Sequence, residues 1–255
     1  MTPEARARAA ARPEAVLCDF FGGQALYGNI LLLARWSEDA LAAVAAEGAA
    51  QFVILGAGFD SFLLRRPPFT RDLTVIEVDH PATRALKREQ LAALGIAILP
   101  NTALVAADLA SEDLASALAR SPFRDDRPVM FSWLGVTIYL TREANLATLR
   151  TNAVASASGS RLAFSYADSV LFRPAPADAP ETATLSGSFK MVAAMGELCV
   201  SGFDPPLMAE QLAGVGFDLV EDLNGPELAV RYGRAGDRAP PVTASSRFAL
   251  ARVRA

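Results

Sequence analysis

Short apolar runs alternate with amphipathic stretches along most of the chain, and the alternation predicts its elements. Residues 51–58 (QFVILGAG) are a continuous apolar run closed by two glycines. Such a run suits a strand buried on both faces. Residues 73–80 (LTVIEVDH), 103–109 (ALVAADL), 128–135 (PVMFSWLG) and 161–167 (RLAFSYA) read as further strands. Helical stretches lie between and before them. From about 29 to 46, Ile30, Leu33, Leu41 and Val44 recur at helix-like spacing, with Gly48 near the expected end. Pro81 opens a stretch to Leu94, at a first-turn position that needs no N–H. Residues 111–120 read as a helix with Ser111 as N-cap and acids in its first turn. Residues 141–157 read as a helix capped by Thr141. This alternation predicts an α/β fold, a mainly parallel sheet with right-handed crossovers.

Residues 168–204 break the rhythm. They hold a Pro-rich loop and a stretch at 183–200 with Phe189, Met191, Val192 and Met195. A surface excursion and a lid are both consistent with this segment. Residues 205–217 return to a helix, and 218–223 and 246–253 are strands with a loop between them. That ending predicts an antiparallel hairpin at one sheet edge. No linker separates two cores, so the prediction is one domain over residues 1–255. It divides into a helical cap at 1–48, a binding core at 49–167, a lid at 168–204, and a C-terminal helix with the edge hairpin at 205–255.

Composition narrows the function classes. Acids number 28 and bases 24, a net charge of −4. Nucleic-acid binding and polybasic membrane anchoring would both call for a basic surface. Cys18 and Cys199 are too few for a disulfide framework, and the lone His80 excludes two-histidine metal motifs. No apolar run approaches the roughly 18 residues of a membrane span. The first residues lack the apolar stretch of a secretory signal. The expectation is a soluble, cytoplasmic protein with no metal, nucleic-acid or membrane partner. Of the 24 bases, only Lys87 and Lys190 are lysines, and the arginine and alanine excess reads as coding bias.

In open parallel sheets, ligands bind beyond the carboxyl ends of the strands. The unusual residues of this chain fall there: Gly56, Ala57, Gly58, Phe59 and Asp60 after the first strand, Glu77, Asp79 and His80 after the second, Asp108 after the third, and 133–139 after the fourth. Glycines let a ligand approach the backbone closely. A dinucleotide fingerprint would need glycine where Ser61 stands, and Asp60 occupies the place of a pyrophosphate. The acidic loop suits a ligand with a cationic group. Asp79 falls about where an acid bonds a ribose diol, and Asp108 could accept from an adenine amino group. Each acid alone could equally cap a helix or strand end. Together beside a glycine turn they point to an adenosine-bearing, phosphate-free, amino-acid-bearing ligand, for which S-adenosylmethionine is the candidate.

These segments resemble the leucine carboxyl methyltransferase-like family of class I S-adenosylmethionine-dependent methyltransferases. Its bacterial branch includes polyketide O-methyltransferases of the tetracenomycin type. Matching stretches run in order: Arg12-Pro13-Glu14 through Asp19, Arg35 with Asp39, LGAGFDSFLLR at 55–65, EVDHP at 77–81 with Lys87-Arg88, Asp108-Leu109, GVTIYLT at 135–141, Gly196-Glu197, and GFDPPLMAEQLAGVGF at 202–217. The resemblance implies a Rossmann-like, seven-stranded, mostly parallel sheet with helices on both faces, an N-terminal helical cap and an inserted lid. It implies that Arg35 pairs with the cofactor's carboxylate and that Gly56, Ala57 and Gly58 line its methionine part. It further implies that Asp79, beside His80, bonds the ribose, and that Asp108 and Leu109 hold adenine. Two positions depart from the pattern: Leu134 stands where many members carry Glu, and Phe62 where arginine is common. Holding the cofactor's amino group then falls to Asp60 or to backbone carbonyls.

The implied reaction is O-methylation of a small-molecule acceptor, a carboxylate or a polyketide hydroxyl. A protein C-terminal carboxylate is an alternative acceptor. A non-catalytic cofactor-binding or scaffold protein is an alternative of another class, favoured by Leu134. A carboxylate acceptor is already ionised, whereas a phenol, with a pKa of about 10, would gain from a base. His80 is read as a helix cap or as packing near the ribose, Tyr139 and Tyr166 as packing or shaping a pocket, and Cys199 as a small apolar filler. No catalytic residue is assigned. Trp133, Phe164, Phe189 and Met191 are candidates to line an acceptor pocket, with core packing the better reading for Trp133.

Overall fold

The structure, a computed structural model, describes residues 24–172, 198–233 and 242–254. A long helix α1 (Gln24–Ala46) precedes strand β1 (Gln51–Leu55). Then follow a short helix α2 (Phe62–Arg65), β2 (Thr74–Asp79), α3 (Pro81–Ala93), β3 (Thr102–Ala106), α4 (Leu114–Leu118), β4 (Val129–Trp133), α5 (Arg142–Val154) and β5 (Arg161–Ala167). The chain closes with α6 (Met208–Ala213), β6 (Phe217–Asn224), α7 (Gly225–Tyr232) and β7 (Ser246–Val253). No helix among the described residues is long and apolar enough to cross a membrane.

The strands form one seven-stranded sheet in the order β3-β2-β1-β4-β5-β7-β6. The pairings from β3 through β5 are parallel, and β7 runs antiparallel to both β5 and β6. Successive side chains of a strand point to opposite faces, and the packing follows that rule. Val53 and Leu55 join Ile76, Val78, Phe131 and Trp133 on one face, while Phe52 and Ile54 join Val75 and Met130 on the other. Every residue of β1 and β4 is buried, which is why both read as mostly apolar runs, with Gln51 and Ser132 the polar exceptions. Helix α1 covers the second face through Leu32, Trp36, Leu41 and Val44.

Five sequence expectations need correction. Ile30 is exposed, because the buried stripe of α1 is set by Trp36 and Leu32. Ser111 is not an N-cap: Asp113 caps α4 by accepting from the Ser116 N–H, and the Ser111 hydroxyl instead donates to Asp108. The stretch at 205–217 is a 3-10 turn followed by the short α6, and its last residue already belongs to β6. The last two strands pair as expected with β6 at the sheet edge, but helix α7 lies between them, so they are not a simple hairpin. The sequence signal for α7 is a capping box: the Asn224 side chain accepts from the Glu227 N–H while the Glu227 carboxylate accepts from the Asn224 N–H, with Pro226 in the first turn. Phe164 is fully buried in the core and lines no open pocket. The residues 1–23, with Arg12-Pro13-Glu14 and Asp19, and 173–197, with Phe189, Met191 and Gly196-Glu197, lie outside the described residues, as does most of the loop at 233–241.

Candidate functional site

Strand order reverses between β1 and β4, so the loops after them diverge and leave a crevice at the carboxyl ends. The turn after β1 is held by its own backbone. Gly56 and Ala57 both donate N–H groups to the Val78 carbonyl, at 2.8 and 3.3 Å. Gly58 donates its N–H to one carboxylate oxygen of Asp79. The other oxygen of Asp79 accepts the His80 N–H at 2.6 Å, and the Asp79 carbonyl accepts from Ala107 at 2.8 Å. Asp79 therefore links the glycine turn, the start of α3 and the end of β3.

Asp60 ends the turn. Its carboxylate accepts the Phe62 N–H at 2.7 Å, at the start of α2. That backbone donor is the kind a phosphate would need, and the chain's own acid takes it. The N–H groups of Gly56, Ala57 and Gly58 are likewise committed to protein acceptors. With these donors engaged, the rim presents carboxylate oxygens at Asp60, Asp79 and Asp108, which accept hydrogen bonds and favour a cation. A pyrophosphate does not suit such a donor set, while hydroxyls, an amino group or an ammonium do.

Asp108 lies beyond β3. Its carboxylate accepts from the Ala110 N–H at 3.0 Å and from the Ser111 hydroxyl at 2.8 Å. These bonds, first that from Ser111 and then that from the backbone, with the nearby His80, hold the carboxyl below its ordinary range. Neighbouring Leu109 is half-buried against the first core cluster. The His80 Nδ1 accepts the Ala82 N–H at 3.2 Å, so this side chain is the N-cap of α3, as its place before Pro81 predicts.

The loop after β4 closes the other side. Gly135 donates its N–H to the Ser165 hydroxyl at 2.8 Å, and the Thr137 hydroxyl donates to the Ser165 carbonyl at 2.7 Å. Val136 lies over Gly56, whose φ of +65° demands glycine and whose missing Cβ would overlap the Val136 methyl. Gly58, at φ +49°, faces open space instead. Leu134 is half-buried and packs with the second core cluster, which includes Trp36 and Ala57. Residues 200–201 return over this loop: Val200 donates to the Ile138 carbonyl at 2.8 Å, and the Ser201 hydroxyl donates to the Leu140 carbonyl at 2.6 Å.

The structure thus brings Gly56, Ala57, Gly58, Asp60, Asp79, His80 and Asp108 to one rim. Arg35 stands apart from that network. It is exposed on α1 and pairs with Asp39 at 3.1 Å, one turn along. Asp39 also lies near Tyr232 of α7, whose hydroxyl is pushed up to about 12 by burial and by that carboxylate. Of the two readings for Tyr166, packing holds: it is buried in the first core cluster, and its hydroxyl donates to Asp222 at 2.7 Å. Burial and that bond push the phenol far above its ordinary range. Trp133 is fully buried in the first cluster.

Sequence reading assigned no role to one pair that the structure places directly beneath this rim. Lys87 of α3 donates to the Glu77 carboxylate at 2.7 Å and to the Asp60 carbonyl at 3.0 Å. The available signal was a glutamate inside an apolar strand and one of only two lysines, both within matched motifs.

Comparison with known proteins gives a consistent picture. The profile of a family described as leucine carboxyl methyltransferase matches residues 6–153. YktD of Bacillus subtilis, named as a proposed S-adenosyl-L-methionine-dependent methyltransferase, is 34% identical over 182 residues, covering 71% of this chain and 58% of that protein. A Mycolicibacterium gilvum protein with the same description is 31% identical over 214 residues, covering 83% of this chain and 67% of that one. The chain thus spans little more than half the length of the first and two thirds of the second. Among solved structures, a DUF574 family protein from Streptomyces avermitilis superimposes with a TM-score of 0.64 at 21% identity, covering 98% of this chain and 89% of that one. That likeness establishes the fold.

Proposed function

The chain belongs to the leucine carboxyl methyltransferase family, and on that premise we propose that it is an S-adenosylmethionine-dependent O-methyltransferase acting on a small molecule, a carboxylate or a polyketide hydroxyl. The observation that carries this reading is the rim itself. Backbone-locked carboxylates at 79 and 108 flank a glycine turn whose N–H groups are already used. Such a rim accepts hydrogen bonds from a ribose and an adenine amine and favours a cationic group.

When bound, the cofactor supplies a methyl group already activated on a sulfonium. Each oxygen of Asp79 and Asp108 retains a second lone pair, so these residues can hold the ribose hydroxyls and the adenine amine without giving up their backbone bonds. The carbonyls of the turn, with Asp60, would hold the cofactor's ammonium. The resemblance gives Arg35 the cofactor's carboxylate as its partner, which would require it to leave its bond to Asp39. The protein's main contribution is then to orient the acceptor, which can supply roughly 7–11 kcal/mol of such a barrier. Tyr166 is committed to Asp222 and His80 to its cap, so neither is placed as a general base. A carboxylate acceptor, ionised at neutral pH, would need neither.

Isothermal titration with S-adenosylmethionine and S-adenosylhomocysteine, on the wild type and Asp79→Ala, tests the cofactor site. Binding lost in the variant supports it, and no binding by the wild type overturns it. Transfer of a labelled methyl group into extractable small molecules, against transfer into lysate protein, separates this acceptor from a protein C-terminal carboxylate. A cofactor-binding protein without turnover is a second reading. Leu134 favours it, since no carboxylate stands at that position to meet the cofactor's ammonium. Turnover on any acceptor sinks it.

A further inference from the structure

Glu77 and Lys87 form an ion pair inside the protein. Their side chains are 3% and 8% exposed, and the bridging distance is 2.7 Å. A buried pair of this kind is commonly no more stabilising than two apolar residues of the same volume. Here one oxygen of Glu77 is also buried with no hydrogen-bond partner, a further cost. Stability alone therefore does not account for the pair. Its third member does: Lys87 also donates to the Asp60 carbonyl at 3.0 Å, in the turn that leads from Gly58 into α2.

We infer that Lys87 and Glu77 are positioning residues, a strut that anchors the Asp60 carbonyl to β2 and α3 and so holds the turn at 56–60 in the shape that receives the cofactor. The inference rests on the cofactor-site reading above. Lys87 reaches the turn from below and Asp79 grips it from the side through Gly58. Neither member of the strut needs to touch the ligand.

The strut contains a titrating group. The charged groups facing Glu77 are Lys87 from α3, Asp60 from the turn and Asp79 from its own strand. Burial, aided by the two aspartates and opposed by Lys87, pushes the Glu77 carboxyl up to about 7. Ionised Glu77 holds Lys87 by charge. Protonated Glu77 keeps Lys87 only through a neutral oxygen, without the charge attraction, and the strut slackens. If only the ionised form binds, the dissociation constant rises about tenfold between about pH 8 and about pH 6. A mere field effect would behave differently. It would act on S-adenosylmethionine, which carries a net positive charge, and spare S-adenosylhomocysteine, whose net charge is zero.

The test combines two readouts on the full chain. The first is amide hydrogen exchange of residues 56–62 without ligand, corrected for the intrinsic pH dependence. The second is calorimetric affinity for both ligands at the two pH values. In the wild type, exchange quickens and both ligands weaken about tenfold on acidification. Glu77→Gln, nearly isosteric, loses the pH dependence of both readouts. Lys87→Met has a fast-exchanging turn and weak binding at both pH values. The strut is overturned if both variants keep wild-type affinity and exchange, even where Lys87→Met melts lower. It is also overturned if the pH effect is confined to S-adenosylmethionine. Failure of the wild type to bind either ligand at any pH rejects the cofactor reading itself. The wild-type pH series needs no variant to fold.

Discussion

The carboxylate of Asp79 accepts the backbone N–H of Gly58 across 21 residues of chain. One oxygen holds the glycine turn while the other holds the His80 N–H that opens α3. Removing the carboxylate strands two backbone donors as well as a ligand contact.

Asp79→Ala is accordingly expected to weaken cofactor binding by about a hundredfold, since charge-assisted hydrogen bonds contribute about 1.5–3 kcal/mol each. Asp79→Asn should fall between, because an amide has one acceptor atom for two donors. Calorimetric titration checks both. Equal affinity in all three proteins would remove Asp79 from the site.

Gly56 and Val136 are in contact at a position with φ of +65°. Gly56→Ala combines left-handed strain of about 1–2 kcal/mol with overpacking of about 1–3 kcal/mol. Adding Val136→Ala should recover the overpacking part and leave the strain. Denaturant unfolding of the two variants separates these contributions. A double variant no more stable than Gly56→Ala would show that the methyl contact is unimportant.

Glu77 makes stability depend on pH. Its carboxyl is raised from 4.5 to about 7, so between these values the folded protein binds more protons than the unfolded chain. Stability from this group is therefore highest below the unfolded value, declines as pH rises towards 7, and is level above it. The decline is of the order of 3 kcal/mol. Urea unfolding of the wild type and Glu77→Gln across this window should diverge accordingly, and parallel curves would contradict it.

Leu134 tests where the cofactor's ammonium would lie. Leu134→Glu places a carboxylate against the half-buried second cluster, so the free protein should lose about 1–3 kcal/mol. If the cofactor's ammonium comes to this position, S-adenosylhomocysteine should bind about tenfold tighter. A lower melting temperature with unchanged affinity would put the ammonium elsewhere.

Tyr166→Phe removes the bond to Asp222 but leaves the Arg247–Asp222 pair at 3.0 Å. The expected loss is about 1 kcal/mol of stability with turnover unchanged. A fall of about a hundredfold in turnover would make Tyr166 a proton-transfer group after all.

Much of this was legible in the residues themselves. The central parallel strands are covered on both faces, and so β1 and β4 are mostly apolar runs ended by loop residues. His80 and Thr141 announce helix caps because capping is local, and the bond from the Phe62 N–H to Asp60 spans only two residues. Helix α7 was equally local in its capping box, yet is only eight residues long and easily read as loop.

What the chain alone determined is whatever depends on neighbours within a few residues: strand texture, caps, the glycine turn and the sign of charge at its rim. Tertiary structure decided the rest. The exposure of Ile30 and burial of Trp36 depend on which stripe of α1 meets the sheet. The insertion of β7 between β5 and β6 depends on long-range pairing. The Lys87–Glu77–Asp60 contact joins a helix, a strand and a turn that only the crossovers bring together. Such contacts carry no local signature, because their energy comes from burial and charge in a place that exists only once the sheet has formed.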